Sequence, residues 1–192
     1  MQAVELAQWL SVKDYLEGEP LSEVRHEYIG GVVYAMAGAS DEHNQIVGNL
    51  HAATHSHLRG KACRVFMLDA KVRLQLAGED IFYYPDLMIA CDPRDTDRYF
   101  KRFPRVLIEV LSETTERTDR REKFLSYTQL ETLEEYVLVA QDRMEVTLFR
   151  RANRWQPEVL TKAELPLRLA SIDFTQPLAG IYEGVHFARQ SP

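Results

Sequence analysis

Two carboxylates in this chain stand where a carboxylate is costly. In YYPDLMIA, Asp86 follows Pro85, which withholds a backbone amide and so favours a strand start or a sheet edge, and it precedes an apolar run that reads as buried. In RVLIEVLS, Glu109 sits among Val106, Leu107, Ile108, Val110 and Leu111. An ionised carboxylate in such a run is unfavourable unless it is paired or bound to a cation. If the two strands are neighbours, both acids face one end of the sheet and can chelate a hard cation through oxygen, the donor that magnesium prefers. The competing reading is an acid that faces solvent at a sheet edge or pairs with an arginine such as Arg105. Other chemistry is missing: the chain has no glycine-rich P-loop, no G-x-G-x-x-G, no G-x-S-x-G and no H-E-x-x-H. His51, His55 and His57 invite a zinc reading, but no cysteine or acid nearby completes a tetrahedral set.

The elements that must position these acids can be read from local pattern. Val4 to Leu10 and Val12 to Leu16 read as helix, with Ser11 as a cap or break and Gly18 to Pro20 as the end. Val24 to Ile29 and Val32 to Ala37 flank Gly30-Gly31, a two-residue hairpin signal. Ser40 followed by Asp41 and Glu42 starts a long helix to about Arg59, because a hydroxyl caps free amides and acids complement the positive end of the helix dipole. His43, Val47, Leu50 and Thr54 recur on one face of it, widened by Ile46 and Ala53. Strand-like stretches follow at Arg64 to Leu68, Lys71 to Leu76, Ile81 to Cys91 and Val106 to Leu111.

Asp119 with Glu122 resembles a capping box, and Phe124, Tyr127 and Leu130 then recur at helical spacing. Glu135 to Ala140 and Glu145 to Arg151 read as a hairpin, and Pro157, Pro166 and Pro177 punctuate short strands and loops beyond it. The order predicts an α/β (α+β) architecture, a mixed central sheet flanked by helices with a hairpin in front. We read 1–192 as one domain, with a helical cover over 1–20, a core over 24–151 and short strands and loops over 152–192.

Hydrophobic residues make up 45% of the 192 residues and charged residues 27%, the balance of a globular protein. No apolar run is long enough to span a bilayer and the N-terminus has no signal pattern, so a cytoplasmic location is expected. Cys63 and Cys91, isolated in apolar surroundings, read as buried small hydrophobes. The net charge of −6 argues against a surface that grips nucleic acid throughout. From Arg94 to Phe124, however, nine basic residues face seven acidic ones, a local +2, while the remainder carries 14 basic against 22 acidic. A weakly positive strip on an acidic body suits a transient nucleic-acid contact; a solvated mixed-charge face is the alternative.

The hairpin RHEYIGGVVYAMAGASDEH, the PD of YYPDLMIA, the IEVLSETT segment and the spaced Asp119, Lys123 and Tyr127 resemble the Uma2 family of endonucleases, also called DUF820, over roughly Ser11 to Ile181. The resemblance implies the PD-(D/E)xK restriction-endonuclease-like fold, in which magnesium or manganese held by Asp86 and Glu109 activates water to attack a phosphodiester. The family's lysine normally stands two residues after the glutamate, and here that position is Leu111. Lys123, one turn inside the next helix, is the expected substitute; an i, i+4 ion pair with Asp119 is its other reading. Glu27 falls where the family places an acid, as a third metal or water contact or an exposed hairpin acid, and His43 where it places a histidine, as a substrate-orienting group or a packing residue. Ser112-Glu113 and Leu133 to Val137 depart from the family's usual S-P and E-Y-W patterns. Arg117, Arg120 and Arg121 are candidate phosphate contacts or solvated helix arginines. The expectation is a nuclease acting on nucleic acid, DNA before RNA, as a homodimer whose two sites address two strands. The alternative is a non-catalytic nucleic-acid or protein-binding module on the same fold.

Overall fold

The computed structural model describes residues 9–112 and 116–187, without the side chain of residue 117. The helix expected over Val4 to Leu10 falls mostly outside these residues, as do Glu113 and the Arg117 guanidinium. Helix α1 (Val12–Gly18) starts at Ser11, whose hydroxyl accepts from the Asp14 amide, and a 3-10 turn (Glu19–Leu21) follows it. Strands β1 (His26–Ile29) and β2 (Val32–Ala35) form the expected hairpin. Gly30 and Gly31 take φ of +53° and +98° at its turn, values that a side chain would disfavour.

Helix α2 (Asp41–Leu58) is capped by the Ser40 hydroxyl, which accepts from the His43 amide, and buries His43, Ile46, Val47, Leu50 and Thr54. Then come β3 (Arg64–Met67), β4 (Lys71–Leu76), β5 (Glu79–Tyr83), β6 (Leu87–Ala90), β7 (Phe100–Lys101) and β8 (Pro104–Leu111). The single strand expected over Ile81 to Cys91 is in fact two. Pro85 has no amide to continue a ladder, and at Tyr84 to Asp86 the chain leaves one sheet for another. Helix α3 (Glu116–Thr118) passes through a π-helical turn (Asp119–Lys123) into α4 (Phe124–Tyr127). Asp119 is therefore not a cap but a residue inside the helix, its carboxylate buried against Lys123. The helix also ends before Leu130.

The remaining elements are β9 (Glu135–Ala140), β10 (Val146–Arg150), β11 (Pro157–Leu160), β12 (Pro166–Leu169), β13 (Phe174–Pro177) and α5 (Leu178–Ile181). The strands form a five-stranded sheet ordered β2-β1-β5-β4-β7, a six-stranded sheet ordered β11-β10-β9-β8-β6-β3, and the pair β12-β13. The six-stranded sheet is mixed, since β8 and β9 run parallel while β8 and β6 run antiparallel.

Strand β8 shows how this layering aims the site. Side chains alternate faces along a strand. Val106, Ile108 and Val110 pack with Ile46, Val47 and Leu50 of α2 and with Leu167, Leu178 and Ile181 of the C-terminal elements. Leu107 and Leu111 face the opposite way, onto Val72, Leu74 and Tyr83 of the five-stranded sheet and onto Tyr127. Glu109 shares that second parity, so its carboxylate is carried to the side where α3 and α4 pack. No helix among the described residues is long and apolar enough to cross a membrane.

Cys63 and Cys91 are joined in a disulfide, which corrects their reading as isolated small hydrophobes. The reason is register. Strands β3 and β6 pair with Arg64 opposite Ala90, so the flanking cysteines meet across the ladder. Closing a loop of this sequence separation, 28 residues, contributes about 3–4 kcal/mol by chain entropy.

Candidate metal centre

Strands β6 and β8 pair with Leu87 opposite Ile108, which brings Asp86 and Glu109 side by side at one end of the ladder. The Asp86 amide donates to Glu109 Oε2 at 3.3 Å, and the Val110 amide donates to Asp86 Oδ2 at 2.7 Å. The other Asp86 oxygen, Oδ1, lies 3.0 Å from His43 Nε2 in the first turn of α2. The aspartate is thus held from both sides by backbone and imidazole. Arg105, the alternative partner considered for these acids, is exposed and donates to the Ser171 carbonyl.

Glu109 is 2% exposed, and its Oε1 accepts from the Tyr127 hydroxyl at 2.9 Å and from Lys123 Nζ at 3.2 Å. The Lys123 ammonium also reaches Glu27 Oε1 at 3.0 Å and Asp119 Oδ1 at 3.2 Å. Asp119, Lys123 and Tyr127 recur every fourth residue, and the π turn that contains the first two of them aims this face at β8. Such turns recur where a helix serves a site. Tyr127 is fixed by its own packing, with the Tyr83 and Tyr136 rings at 5.5 and 5.3 Å. Asp86, Glu109, Lys123, Glu27 and His43 therefore meet at one place, although they come from five separate stretches of chain.

The charges do not balance. Glu27, Glu109 and Asp119 surround one ammonium, and Asp86 stands beside Glu109. Burial pushes the Glu109 carboxyl well above its ordinary range; Lys123 opposes this, and Asp119, Asp86 and Glu27 add to it. For Lys123, burial alone would lower the pKa, but Glu109, Asp119 and Glu27 together hold it well above the usual lysine value. The Tyr127 hydroxyl is pushed up by burial and then by Glu109, so it remains a donor. An excess of carboxylate in a place this dry favours a further cation.

The donor set fits a hard divalent ion. Among the described residues no group of three or more His, Cys, Asp or Glu side chains could by itself hold a metal ion. Magnesium does not need one, because one or two carboxylates suffice when water and phosphate oxygens complete its shell. Asp86 and Glu109 supply those two, at the base of an open cleft of about 970 Å³ lined also by Glu27, His43 and Lys123.

Uma2, described as "Putative restriction endonuclease", matches residues 12–178. The chain belongs to the Uma2 family. It is 33% identical over 180 residues to the uncharacterized protein slr1290 of Synechocystis sp., covering 93% of this chain and 94% of that one. A second Synechocystis protein, the uncharacterized sll1609, is 31% identical over 144 residues, covering 73% and 80%. A crystal structure titled as a putative nuclease belonging to DUF820 from Anabaena variabilis superposes with a TM-score of 0.72 over 90% of this chain and 97% of that one, at 17% identity, and so shares the fold. Within the Uma2 fold as this chain builds it, the position two residues after the glutamate is Leu111, packed in the core.

The contacts of three further residues lie beyond what the local sequence shows. Asp119 reads as a helix cap or as the i, i+4 partner of Lys123. Tyr127 reads through helical periodicity and the family resemblance, although a tyrosine on an otherwise apolar face signals a hydroxyl in need of a partner. Tyr84 donates its amide to Glu27 Oε1 at 3.3 Å and its hydroxyl to Glu19 Oε1 at 2.9 Å, and it accepts from Lys71 Nζ at 3.1 Å. That network braces the Tyr84-Pro85-Asp86 turn, and only its position before the PD pair could have marked it. The positive strip is dispersed: of the nine basic residues between Arg94 and Lys123, Lys123 alone lines the cleft among the described side chains. Arg120 is engaged by Glu116 and Glu145.

Proposed function

We propose that this protein is a metal-dependent nuclease that hydrolyses phosphodiester bonds, with DNA ahead of RNA as substrate, and that Asp86 and Glu109 hold magnesium or manganese. The observation that carries this reading is the pairing of two adjacent carboxylates at the base of an open cleft with a buried ammonium that touches one of them. When bound there, the ion supplies Lewis-acid activation of the phosphate and of the attacking water. The protein's own part is positional. His43 and the Val110 amide fix the Asp86 carboxylate, and Tyr127 fixes that of Glu109. Lys123 stands in for the lysine absent at Leu111, offering its proton-bearing nitrogen to the charge that develops on the phosphate. Glu27 orients that ammonium.

Labelled oligonucleotides and plasmid DNA incubated with the protein test the reading. Cleavage is expected with magnesium or manganese and none with a chelator. Substrate left intact under every divalent condition, together with persisting nucleic-acid binding, would instead identify a binding module on this fold.

A further inference from the structure

The β1–β2 hairpin lines the cleft, and its register places a ring beside the candidate metal centre. Glu27 and Tyr34 are directly opposed across the pair. Residues opposed in an antiparallel pair project from the same face with Cβ atoms about 5 Å apart. Glu27 reaches Lys123, so Tyr34 stands on the same side, one residue's width from the centre. Its ring is 52% exposed, on the edge strand of the five-stranded sheet. The chain that follows into α2 also lines the cleft, and Ala35, Ala37, Gly38 and Ala39 add only small uncharged residues to the lining.

The charge of the cleft restricts what can lie on this wall. Among the described residues its lining holds seven carboxylates, from Glu27 to Asp142, against three cationic side chains, Arg25, Lys123 and Arg143. All three are engaged by acids: Arg25 by Asp69, Lys123 by Glu27, Glu109 and Asp119, and Arg143 by Asp142 and Glu145. Duplex binding draws its affinity from cations on two phosphate backbones, which the described lining of this cleft does not offer. A duplex also keeps its bases paired and stacked, away from any ring on the protein. An unpaired strand brings one backbone and a free π-face, and an exposed aromatic ring beside the reacting phosphate binds that face whatever the base.

We propose that Tyr34 is the base-stacking platform of the site and that the substrate enters the cleft as an unpaired strand. This rests on the nuclease reading above for the chemistry, but not for the binding. The test has two arms. In the first, fluorescence anisotropy with chelator present follows a labelled single-stranded oligodeoxynucleotide, the matching oligoribonucleotide and a duplex of the same sequence. The parent binds either single strand about tenfold or more tighter than the duplex. Tyr34→Ala loses roughly 5- to 150-fold of single-strand affinity, while Tyr34→Phe, which keeps the ring, retains it. An unchanged urea midpoint in both variants shows that the fold is intact. Equal binding by Tyr34→Ala and the parent, or equal binding of duplex and single strand, overturns the proposal.

The second arm measures cleavage of the same probes with manganese. If the parent cleaves neither probe while Tyr34→Ala still loses single-strand binding, the platform stands and the nuclease reading falls. If Tyr34→Ala cleaves duplex and single strand at parental rates, the nuclease reading stands and the platform falls.

Discussion

Replacing Asp86 by Asn is expected to lower cleavage by about 10³-fold or more while raising the affinity for nucleic acid measured without metal. The two effects share one cause. On the proposed reading Asp86 contributes a carboxylate to the metal position, and removing it forfeits an effect worth several kcal/mol in the transition state. Without metal, the same carboxylate is an unneutralised negative charge beside the place where a phosphate must sit. Glu109, with its carboxyl pushed well above the ordinary range by burial, carries less of that repulsion. Removing one such charge, on a side chain that keeps some exposure, strengthens phosphate binding by roughly threefold at low salt, and salt diminishes the gain. Initial rates with manganese and anisotropy with chelator give the two numbers. A variant that loses cleavage and metal-free binding together would point to a folding defect or a polar contact rather than to a metal ligand.

Lys123→Met is expected to cost both stability and rate. The ammonium is buried and lies within 3.2 Å of three carboxylate oxygens, from Glu27, Glu109 and Asp119. Removing the cation leaves these acids facing one another away from water, and breaking a buried charge cluster in this way costs about 3–5 kcal/mol. Urea unfolding measures that loss. Cleavage at saturating manganese falls by about 10²- to 10³-fold, because a positioned donor on the developing phosphate charge is lost. If Lys123→Met cleaves as well as the parent while Glu109→Gln does not, the ammonium is a structural counter-ion and the metal position survives without it.

The elements legible in the sequence were those fixed by local chemistry. The Gly30-Gly31 hairpin, the Ser40 cap of α2 and the apolar run of β8 each depend on residues within a few positions of one another. Asp86 and Glu109 were legible because an acid in an apolar run calls for a partner wherever the strand lies. That signal alone is ambiguous, as Glu135 shows. It too is a buried acid in a strand, yet its carboxylate is satisfied by the Ala170 and Ser171 amides and the Ser171 hydroxyl, and it serves to tie down the C-terminal segment. What separates the two glutamates is tertiary: Glu109 opens onto a cleft and shares its ammonium with other acids. The disulfide was illegible for the same reason, since the meeting of Cys63 and Cys91 depends on the register of β3 against β6. The role of Asp119 was misread because its buried partner, Lys123, also fits a simple surface pair on a helix.

Calorimetric titration with manganese reads directly whether Asp86 and Glu109 together hold a divalent ion. One binding event per chain is expected in the parent protein, lost in both Asp86→Asn and Glu109→Gln while the urea midpoints show each variant folded. Manganese binding of unchanged stoichiometry and affinity in both variants would contradict a site shared by these two carboxylates.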